Sequence, residues 1–195
     1  MLLRQIYEQK LIEAQLSDIT IGFEIECIID GNKKPTFIEL AKKYKRKLGS
    51  GYQYCIEQLS NDDINWLMDL PEELSVNFGQ KSIFMSHGNL TSIDSYLYPD
   101  EKREVILANY SESMITIYGH SHYPFIHSND NKFIINPGSV GQARDYKSKA
   151  CWAIWNISEN KILFKRTKYD TSSVLKQCKK YDPKLKYLNE VIKKK

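Results

Sequence analysis

Two histidines of this sequence stand one residue apart, at His120 and His122 in "ITIYGHSHYPF", directly after a glycine that ends a β-branched run. The chain has only four histidines, so their spacing is informative. In an extended segment, residues two apart face the same side, which would aim both imidazoles into one cleft. Imidazole nitrogen suits Zn, Mn, Fe and Ni. The pair is therefore either a set of metal ligands or a pair of surface residues in a turn.

A third histidine has a similar local context. The segment "IFMSHGN" places His87 just past another apolar run. Strand ends are where loops present functional groups from a rigid scaffold, so His87 strengthens the metal-ligand reading of the pair. The fourth histidine, His127, lies in "IHSNDN", which is typical of a turn, and we interpret it as an ordinary polar residue.

The segment "INPGSVGQARD", residues 135 to 145, is the third element that bears on chemistry. Pro137 and Gly138 predict a sharp turn after the apolar run "KFII". Ser139 and Gly141 are interpreted as parts of a tight structural turn. Arg144 can contact a phosphate or pair with a neighbouring acid, and the sequence leaves both alternatives open.

Hydrophobic periodicity predicts the elements that would position these residues. Helical spacing or capping signals predict helices at residues 3–15, 35–48, 60–70, 100–110, 171–181 and 183–195. The helix predicted at 60–70 can be capped by Ser60 or Asn61, and Pro71 ends it. Alternating or apolar runs predict strands in "GFEIECIID", "ELSVNF", "KSIFMSH", "SMITIYG", "KFIIN", "ACWAIWNI" and "KILFKRTKY". Strands mixed with helices in this order predict a layered α/β or α+β protein.

Composition favours one ordinary globular domain. The 195 residues are 42% hydrophobic and 27% charged, which excludes an intrinsically disordered chain. The four cysteines (Cys27, Cys55, Cys151 and Cys178) are widely spaced and form no C-x-x-C pair, so we expect reduced thiols. The sequence shows neither a signal peptide nor a run of about 18 apolar residues that would predict a membrane span. We therefore expect a cytoplasmic protein that does not enter membranes.

Positive charge is concentrated at the C-terminal end. Residues 165–195 hold eleven Lys or Arg residues against three Asp or Glu residues, a net charge of +8, while the whole chain carries +4. Such a tail can contact nucleic acid or another anionic surface. A solvated helix face explains the same charges, and we favour that explanation for the basic helical tail at 170–195.

The motifs "SHGN", "GHSH" and "NPGSVGQARD", in this order, resemble the C-terminal half of the calcineurin-like metallophosphoesterases, in particular the small bacterial and archaeal phosphodiesterases. The flanking segments "LSNDDINWLMDLP" and "RTKYDTSSVLKQC" are similar to that branch too, so the resemblance covers roughly residues 50–180. It implies an α/β fold of four αββα layers and a hydrolase that cleaves phosphodiesters or phosphomonoesters at a two-metal site.

The resemblance also implies particular site residues. His87 and His120 would bind one divalent ion (Mn, Zn, Fe or Ni) and His122 would bind the other. Asn89 and Arg144 are the candidate contacts to the phosphate of a phosphate-ester substrate. No residue is assigned as catalytic.

The family's N-terminal motifs are not matched in this sequence. Its Asp-x-His motif has only a partial counterpart in "LSDITIG", where Thr20 stands in place of histidine. A Gly-Asp pair occurs nowhere, and Gly31-Asn32 is followed by lysine rather than histidine. The bridging carboxylate and the asparagine ligand that these motifs would supply are therefore unassigned.

We therefore interpret residues 1–195 as one partial metallophosphoesterase domain that lacks its N-terminal half, with an atypical segment at 1–35. A fragment, a degenerate relative and a chain completed by another polypeptide all fit this pattern. The chain alone is expected to hydrolyse phosphate esters poorly or not at all. The alternative function is a truncated, non-catalytic binding or interaction module. An uncovered strand edge near "SMITIYG" would also favour a homo-oligomer or a complementary chain.

Overall fold

The computed structural model describes residues 19–21, 57, 59–145 and 149–193. The chain divides into two compact units, one formed by residues 1–24 and 71–168 and the other by residues 25–70 and 169–195. The described elements, in chain order, are β1 (Ile19–Ile21), α1 (Asn61–Met68), β2 (Glu73–Phe78), β3 (Lys81–Ser86), α2 (Arg103–Leu107), β4 (Ile115–Tyr118), β5 (Phe125–Asn129), β6 (Lys132–Asn136), β7 (Lys149–Asn156), β8 (Lys161–Lys168), α3 (Ser172–Tyr181) and α4 (Lys186–Lys193).

A five-stranded mixed sheet forms the centre of the first unit. Its strand order is β2-β3-β4-β6-β5. The three middle strands, β3, β4 and β6, run parallel, whereas β2 and β5 pair antiparallel at the two edges. All four residues of β4 are buried, as expected for a parallel strand covered on both faces. The expectation of an uncovered strand edge near "SMITIYG" was wrong, because β4 pairs with β3 on one side and with β6 on the other. The carboxyl ends of the three parallel strands therefore meet at one edge of the sheet.

One face of this sheet packs against a second sheet with the strand order β1-β7-β8. Side chains alternate along each strand, so every second residue of β3, β4 and β6 points to the same face. Ile83, Ile115, Ile117 and Ile135 lie on this face and pack with Trp155 of β7 in one apolar cluster. The two sheets thus form a sandwich whose buried core is four isoleucines and the Trp155 indole, with Phe78, Phe133 and Phe164 packed around it.

The opposite face of the five-stranded sheet carries a second apolar cluster. Its buried members are Leu97, Tyr118, Phe125 and Ile134, and Ile106 of α2 packs against them. The first unit therefore has helix, sheet and sheet layers. This arrangement of a mixed sheet with helices confirms the predicted α/β fold class.

The second unit contains the described helices α1, α3 and α4. Ser60 caps α1, because its hydroxyl accepts a hydrogen bond from the Asp63 amide (3.2 Å) while the Asp63 carboxylate accepts one from the Ser60 amide (3.1 Å). The Ser60 hydroxyl also donates to the Asp63 carboxylate at 2.6 Å, and this hydrogen bond, together with the one from the Ser60 amide, holds the pKa of the Asp63 carboxyl below its ordinary value. Helices α3 and α4 contact each other.

Most of the predicted elements are present with shifted boundaries. The strands in "ELSVNF", "KSIFMSH", "SMITIYG", "KFIIN", "ACWAIWNI" and "KILFKRTKY" are confirmed, and the helix predicted at 100–110 is shortened to Arg103–Leu107. The interpretation of "IHSNDN" as a turn was wrong for its first residues, because Ile126 and His127 belong to β5 and pair with β6. The elements predicted at 3–15, 22–30 and 35–48 lie outside the described residues.

Candidate metal centre

His87 and His120 meet at the carboxyl ends of two neighbouring parallel strands. The strand register pairs Ser86 of β3 with Tyr118 of β4, so the residues that follow each strand leave the sheet side by side. The Nε2 atom of His87 lies 2.8 Å from the Nδ1 atom of His120. The two loops are also joined through the backbone, because the Gly119 amide donates to the His87 carbonyl at 3.0 Å.

The backbone between the paired histidines is not extended, and the expectation that His120 and His122 share a side for that reason was wrong. Both residues have left-handed backbone angles, with φ of 53° at His120 and 60° at His122. The Ser121 amide donates to the Gly119 carbonyl at 2.6 Å, which tightens the turn between them. Left-handed backbone angles are uncommon for non-glycine residues, because surrounding contacts must hold the residue in this strained conformation. Such residues concentrate at functional sites.

His122 is buried and is held by the loop that follows β6. Its Nδ1 atom lies 3.0 Å from the Gln142 carbonyl oxygen, and its own carbonyl accepts a hydrogen bond from the Arg144 amide at 3.3 Å. A carbonyl only accepts, so Nδ1 carries the proton and, in the neutral ring, Nε2 carries the lone pair. A backbone carbonyl that fixes the tautomer in this way is the usual second partner of a metal-binding histidine.

The "SHGN" motif shapes the loop after His87. A side-chain carbon at Gly88 would overlap the carbonyl oxygens of Ser92 and Ile93, so only glycine fits this position. The buried Asn89 side chain accepts a hydrogen bond from the Thr91 amide at 2.8 Å and donates to the Tyr96 carbonyl at 3.2 Å. The contact of Asn89 with a phosphate stays a prediction. In the structure its side chain holds the loop through these two hydrogen bonds.

Asn136 was not singled out from the sequence, yet it joins the loop that carries His120 to the loop that follows β6. It is fully buried at the end of β6, and its amide group donates to the Gly119 carbonyl at 2.6 Å and to the Ser121 hydroxyl at 3.0 Å. Its carbonyl oxygen accepts from the Gly138 amide at 2.9 Å. A polar residue directly after the apolar run "KFII" was the available signal, because a buried amide must be hydrogen-bonded.

Comparison with known proteins decides the family. The family model described as the calcineurin-like phosphoesterase superfamily domain matches residues 25–160, which is more than half of the chain. The chain belongs to the calcineurin-like phosphoesterase superfamily. An uncharacterized protein of Methanocaldococcus jannaschii is 34% identical to it over 129 residues, covering 57% of this chain and 51% of that protein. The chain thus spans about half the length of this curated relative.

Two solved structures share the calcineurin-like phosphoesterase fold seen here. A hypothetical protein from Pyrococcus horikoshii has a TM-score of 0.66 at 22% identity, covering 77% of this chain and 63% of that chain. A metallophosphoesterase from Sphaerobacter thermophilus has a TM-score of 0.61 at 20% identity, covering 75% of this chain and 66% of that chain. At these identities the likeness establishes the fold alone.

The separation of the His87 and His120 ring nitrogens can be compared with the separation that a shared divalent ion imposes. Two imidazole nitrogens bound at about 2.0–2.1 Å to one ion lie about 2.9 Å apart at a right angle and about 3.3 Å apart at the tetrahedral angle. The observed 2.8 Å is close to the right-angle value, and it equally suits one shared proton. Among the residues that the structure describes, no group of three or more His, Cys, Asp or Glu side chains is arranged to hold an ion. The roles of His87, His120 and His122 as ligands therefore stay predictions.

Arg144 contacts the Tyr96 ring rather than its neighbouring acid. Asp145 instead forms a two-point ion pair with Arg166, in which Nη1 lies 2.9 Å from Oδ1. The Arg144 guanidinium stands over the Tyr96 ring at 5.6 Å, and Tyr96 also stacks on the rings of His120 at 4.0 Å and Tyr98 at 5.5 Å. Of the two alternatives left open for Arg144, pairing with Asp145 is therefore not observed.

Cys151 has a structural role behind the loop that follows β6. Cys151 is buried, its amide donates to the Ser139 carbonyl at 2.9 Å, and burial raises the pKa of its thiol. A protonated, buried thiol is a poor nucleophile. The Ser139 hydroxyl accepts from the Gln142 amide at 2.9 Å, which agrees with its predicted structural role and steadies the carbonyl that orients His122.

In the described part of the chain, none of the helices has the length and apolar character that crossing a membrane requires.

Proposed function

We propose that this protein is a metal-dependent phosphoesterase that hydrolyses phosphodiester or phosphomonoester bonds. The observation that carries the proposal is the contact between the His87 and His120 ring nitrogens at the ends of two parallel strands. His87 and His120 would hold one divalent ion, and His122 would hold the second. A pair of such ions supplies charge stabilisation for the phosphate and an activated water when bound.

The chain's own groups prepare the site for this role. Asn136 and the Gly119 amide fix the loop that carries His120, so the ring is placed before any ligand arrives. The Gln142 carbonyl keeps the His122 proton on Nδ1 and presents Nε2 for coordination. Mn, Zn, Fe and Ni all suit imidazole nitrogen, so each is a candidate ion.

Further ligands must come from residues other than these three. A catalytic ion ordinarily takes at least three protein ligands, and hard oxygen donors complete such sites. Asp18, Glu24, Glu26 and Asp30 are candidate carboxylates in the N-terminal sequence, and all four lie outside the described residues. Glu26 and Asp30 fall within the region matched by the family model, which supports them as candidates.

Arg144 is proposed to bind the substrate phosphate. Its guanidinium lies over Tyr96, next to the histidine pair, and it always carries a positive charge. A guanidinium offers two parallel donors to phosphate oxygens and can remain stacked on an aromatic ring while doing so. Asn89 would act through the loop, because its side chain holds the backbone of Tyr96.

Calorimetric titration with Mn²⁺ and Zn²⁺, followed by hydrolysis of bis(p-nitrophenyl) phosphate, tests the proposal. We expect metal binding that His120→Ala weakens, and slow turnover that needs the ion and stops with a chelator. His127→Asn is the matched control, because His127 lies in β5 and belongs to neither loop of the site. Metal affinity unchanged in His120→Ala, or turnover unchanged by a chelator, would contradict the proposal.

A further inference from the structure

The loop before α2 presents two tyrosines on the same side. In "SYLYPD" the side chain of Leu97 is buried in the apolar cluster under the sheet, while Tyr96 and Tyr98 flank it in sequence. The two rings are parallel within 4°, with centroids 5.5 Å apart. Because side chains alternate in direction along an extended segment, the burial of Leu97 turns Tyr96 and Tyr98 away from the core.

The two rings continue an aromatic row that starts at the histidine pair. Tyr96 stacks on His120 with centroids 4.0 Å apart, and Tyr98 meets the edge of Tyr123 at 6.0 Å. Tyr123 directly follows His122 in sequence. The row therefore leads from the proposed metal ligands along the surface of the first unit.

The backbone of this loop is fixed by groups other than the rings. Asn89 donates to the Tyr96 carbonyl at 3.2 Å, the Glu101 amide donates to the Tyr98 carbonyl at 3.4 Å, and Leu97 is 2% exposed. Tyr96 nevertheless stays 41% exposed. Tyr98 and Tyr123 are half-buried. Since Leu97 and Asn89 already anchor the loop, the exposed Tyr96 ring is not required to hold it in place.

We propose that Tyr96, Tyr98 and Tyr123 form an aromatic platform that binds the flat ring of a phosphate ester while its phosphate lies against Arg144 and the histidine pair. The inference rests on the proposed phosphoesterase function and adds the class of substrate, an ester of an aryl or similarly planar aromatic group. Aromatic rings attract one another through offset or edge contacts in addition to burying apolar area, which a saturated ring cannot reproduce. The guanidinium stacked on Tyr96 extends the platform with a positive charge for the phosphate.

A pair of ligands that differ only in the ring tests the platform. Phenyl phosphate and cyclohexyl phosphate carry the same phosphate and six-membered rings of similar size. Calorimetric titration of the full chain in a buffer with Mn²⁺ should show phenyl phosphate binding about 2- to 12-fold more tightly. Tyr98→Leu should abolish this preference, whereas Tyr98→Phe, which keeps the ring, should retain it.

Circular dichroism verifies that each variant is folded, and NMR supplies a second measurement on the unaltered protein. Nuclear Overhauser effects between tyrosine ring protons and the bound phenyl ring are expected, and their absence would overturn the platform. Equal affinity for the two esters, or an aryl preference that survives in Tyr98→Leu, would overturn it too and leave the phosphoesterase proposal standing. Binding of neither ester would contradict both proposals.

Discussion

The Nε2 atom of His87 lies 2.8 Å from the Nδ1 atom of His120, although 33 residues separate them in sequence. The contact exists because β3 and β4 are parallel neighbours whose carboxyl ends meet. Two nitrogens so close together require a proton or a cation between them, since two lone pairs facing each other repel. The site is therefore prepared either for a hydrogen bond or for a metal ion.

Replacing either histidine of the pair with alanine should weaken binding of Mn²⁺ or Zn²⁺. Changes to the partners of metal ligands cost about 10- to 100-fold in affinity, so loss of a ligand itself should cost at least about 100-fold. Calorimetric titration of His87→Ala, His120→Ala and the control His127→Asn measures the effect. Equal affinities in all three variants would show that the pair shares only a proton.

Asn136→Ala should lower the free energy of unfolding by about 2 to 3 kcal/mol, because the Gly119 carbonyl and the Ser121 hydroxyl lose their donor and the Gly138 amide loses its acceptor. Asn136→Asp keeps the acceptor for Gly138 but places a carboxylate against the Gly119 carbonyl. Urea unfolding of both variants is the measurement. We expect the aspartate variant to be at least as unstable as the alanine variant, and a destabilisation under 0.5 kcal/mol in either would contradict the role assigned to Asn136.

Gly88→Ala should destabilise the protein by about 2 kcal/mol or more and weaken metal binding, since the added carbon overlaps the Ser92 and Ile93 carbonyls and displaces the His87 loop. Gly141→Ala is the matched control, because a carbon there meets nothing within 4 Å. Its stability should stay within about 0.5 kcal/mol of the unaltered protein. Thermal unfolding followed by circular dichroism separates the two outcomes, and equal melting temperatures would refute this account of the motif.

Replacing Arg144 should affect substrate binding, whereas replacing Arg166 should affect stability. Arg144→Ala should raise KM for a phosphate ester and leave stability nearly unchanged, because its guanidinium stacks on the exposed Tyr96 ring. Arg166→Ala should lower the free energy of unfolding by about 1 to 3 kcal/mol, because it leaves the Asp145 carboxylate, only 21% exposed, without its ion pair. Steady-state kinetics and urea unfolding of both variants test this, and the reverse assignment of effects would contradict it.

Tyr118 should make the fold sensitive to alkali. Burial, together with the negative charge of Glu73, raises the pKa of its phenol. The neutral ring therefore contributes stability that is fully present below the unfolded pKa of about 10 and is lost as pH rises through the folded pKa. Tyr118→Phe should lose about 1 kcal/mol near neutral pH, where the phenol donates to the Asn109 carbonyl at 2.7 Å.

Above about pH 10, the pKa of tyrosine in the unfolded chain, the Tyr118→Phe variant should lose less stability than the unaltered protein with each further rise in pH. Urea midpoints measured at neutral pH and at about pH 11 give the comparison. A parallel decline of the two proteins across this range would show that ionisation of Tyr118 does not limit alkaline stability.

The family and much of the local structure were predictable from the sequence. "SHGN", "GHSH" and "NPGSVGQARD" pointed to the superfamily that the family model establishes. The apolar run of Ile83, Phe84 and Met85 predicted a strand, because a short apolar run bounded by turn residues is typical of a buried strand whatever that strand pairs with. Pro137 and Gly138 predicted the turn, and Gly138 adopts a left-handed φ of 84°. Such signals are local, so the sequence carries them directly.

Only the tertiary structure decided how these pieces meet. The contact of His87 with His120 depends on which strands become neighbours, and periodicity does not encode neighbour choice. The left-handed angles at His120 and His122 exist because distant groups, Asn136 and the Gln142 carbonyl, hold the turn between and after them. β5 was missed because its exposed edge position leaves only Phe125 buried. The sequence by itself determined which side chains are able to bind a metal ion, and long-range packing decided which of them face one another.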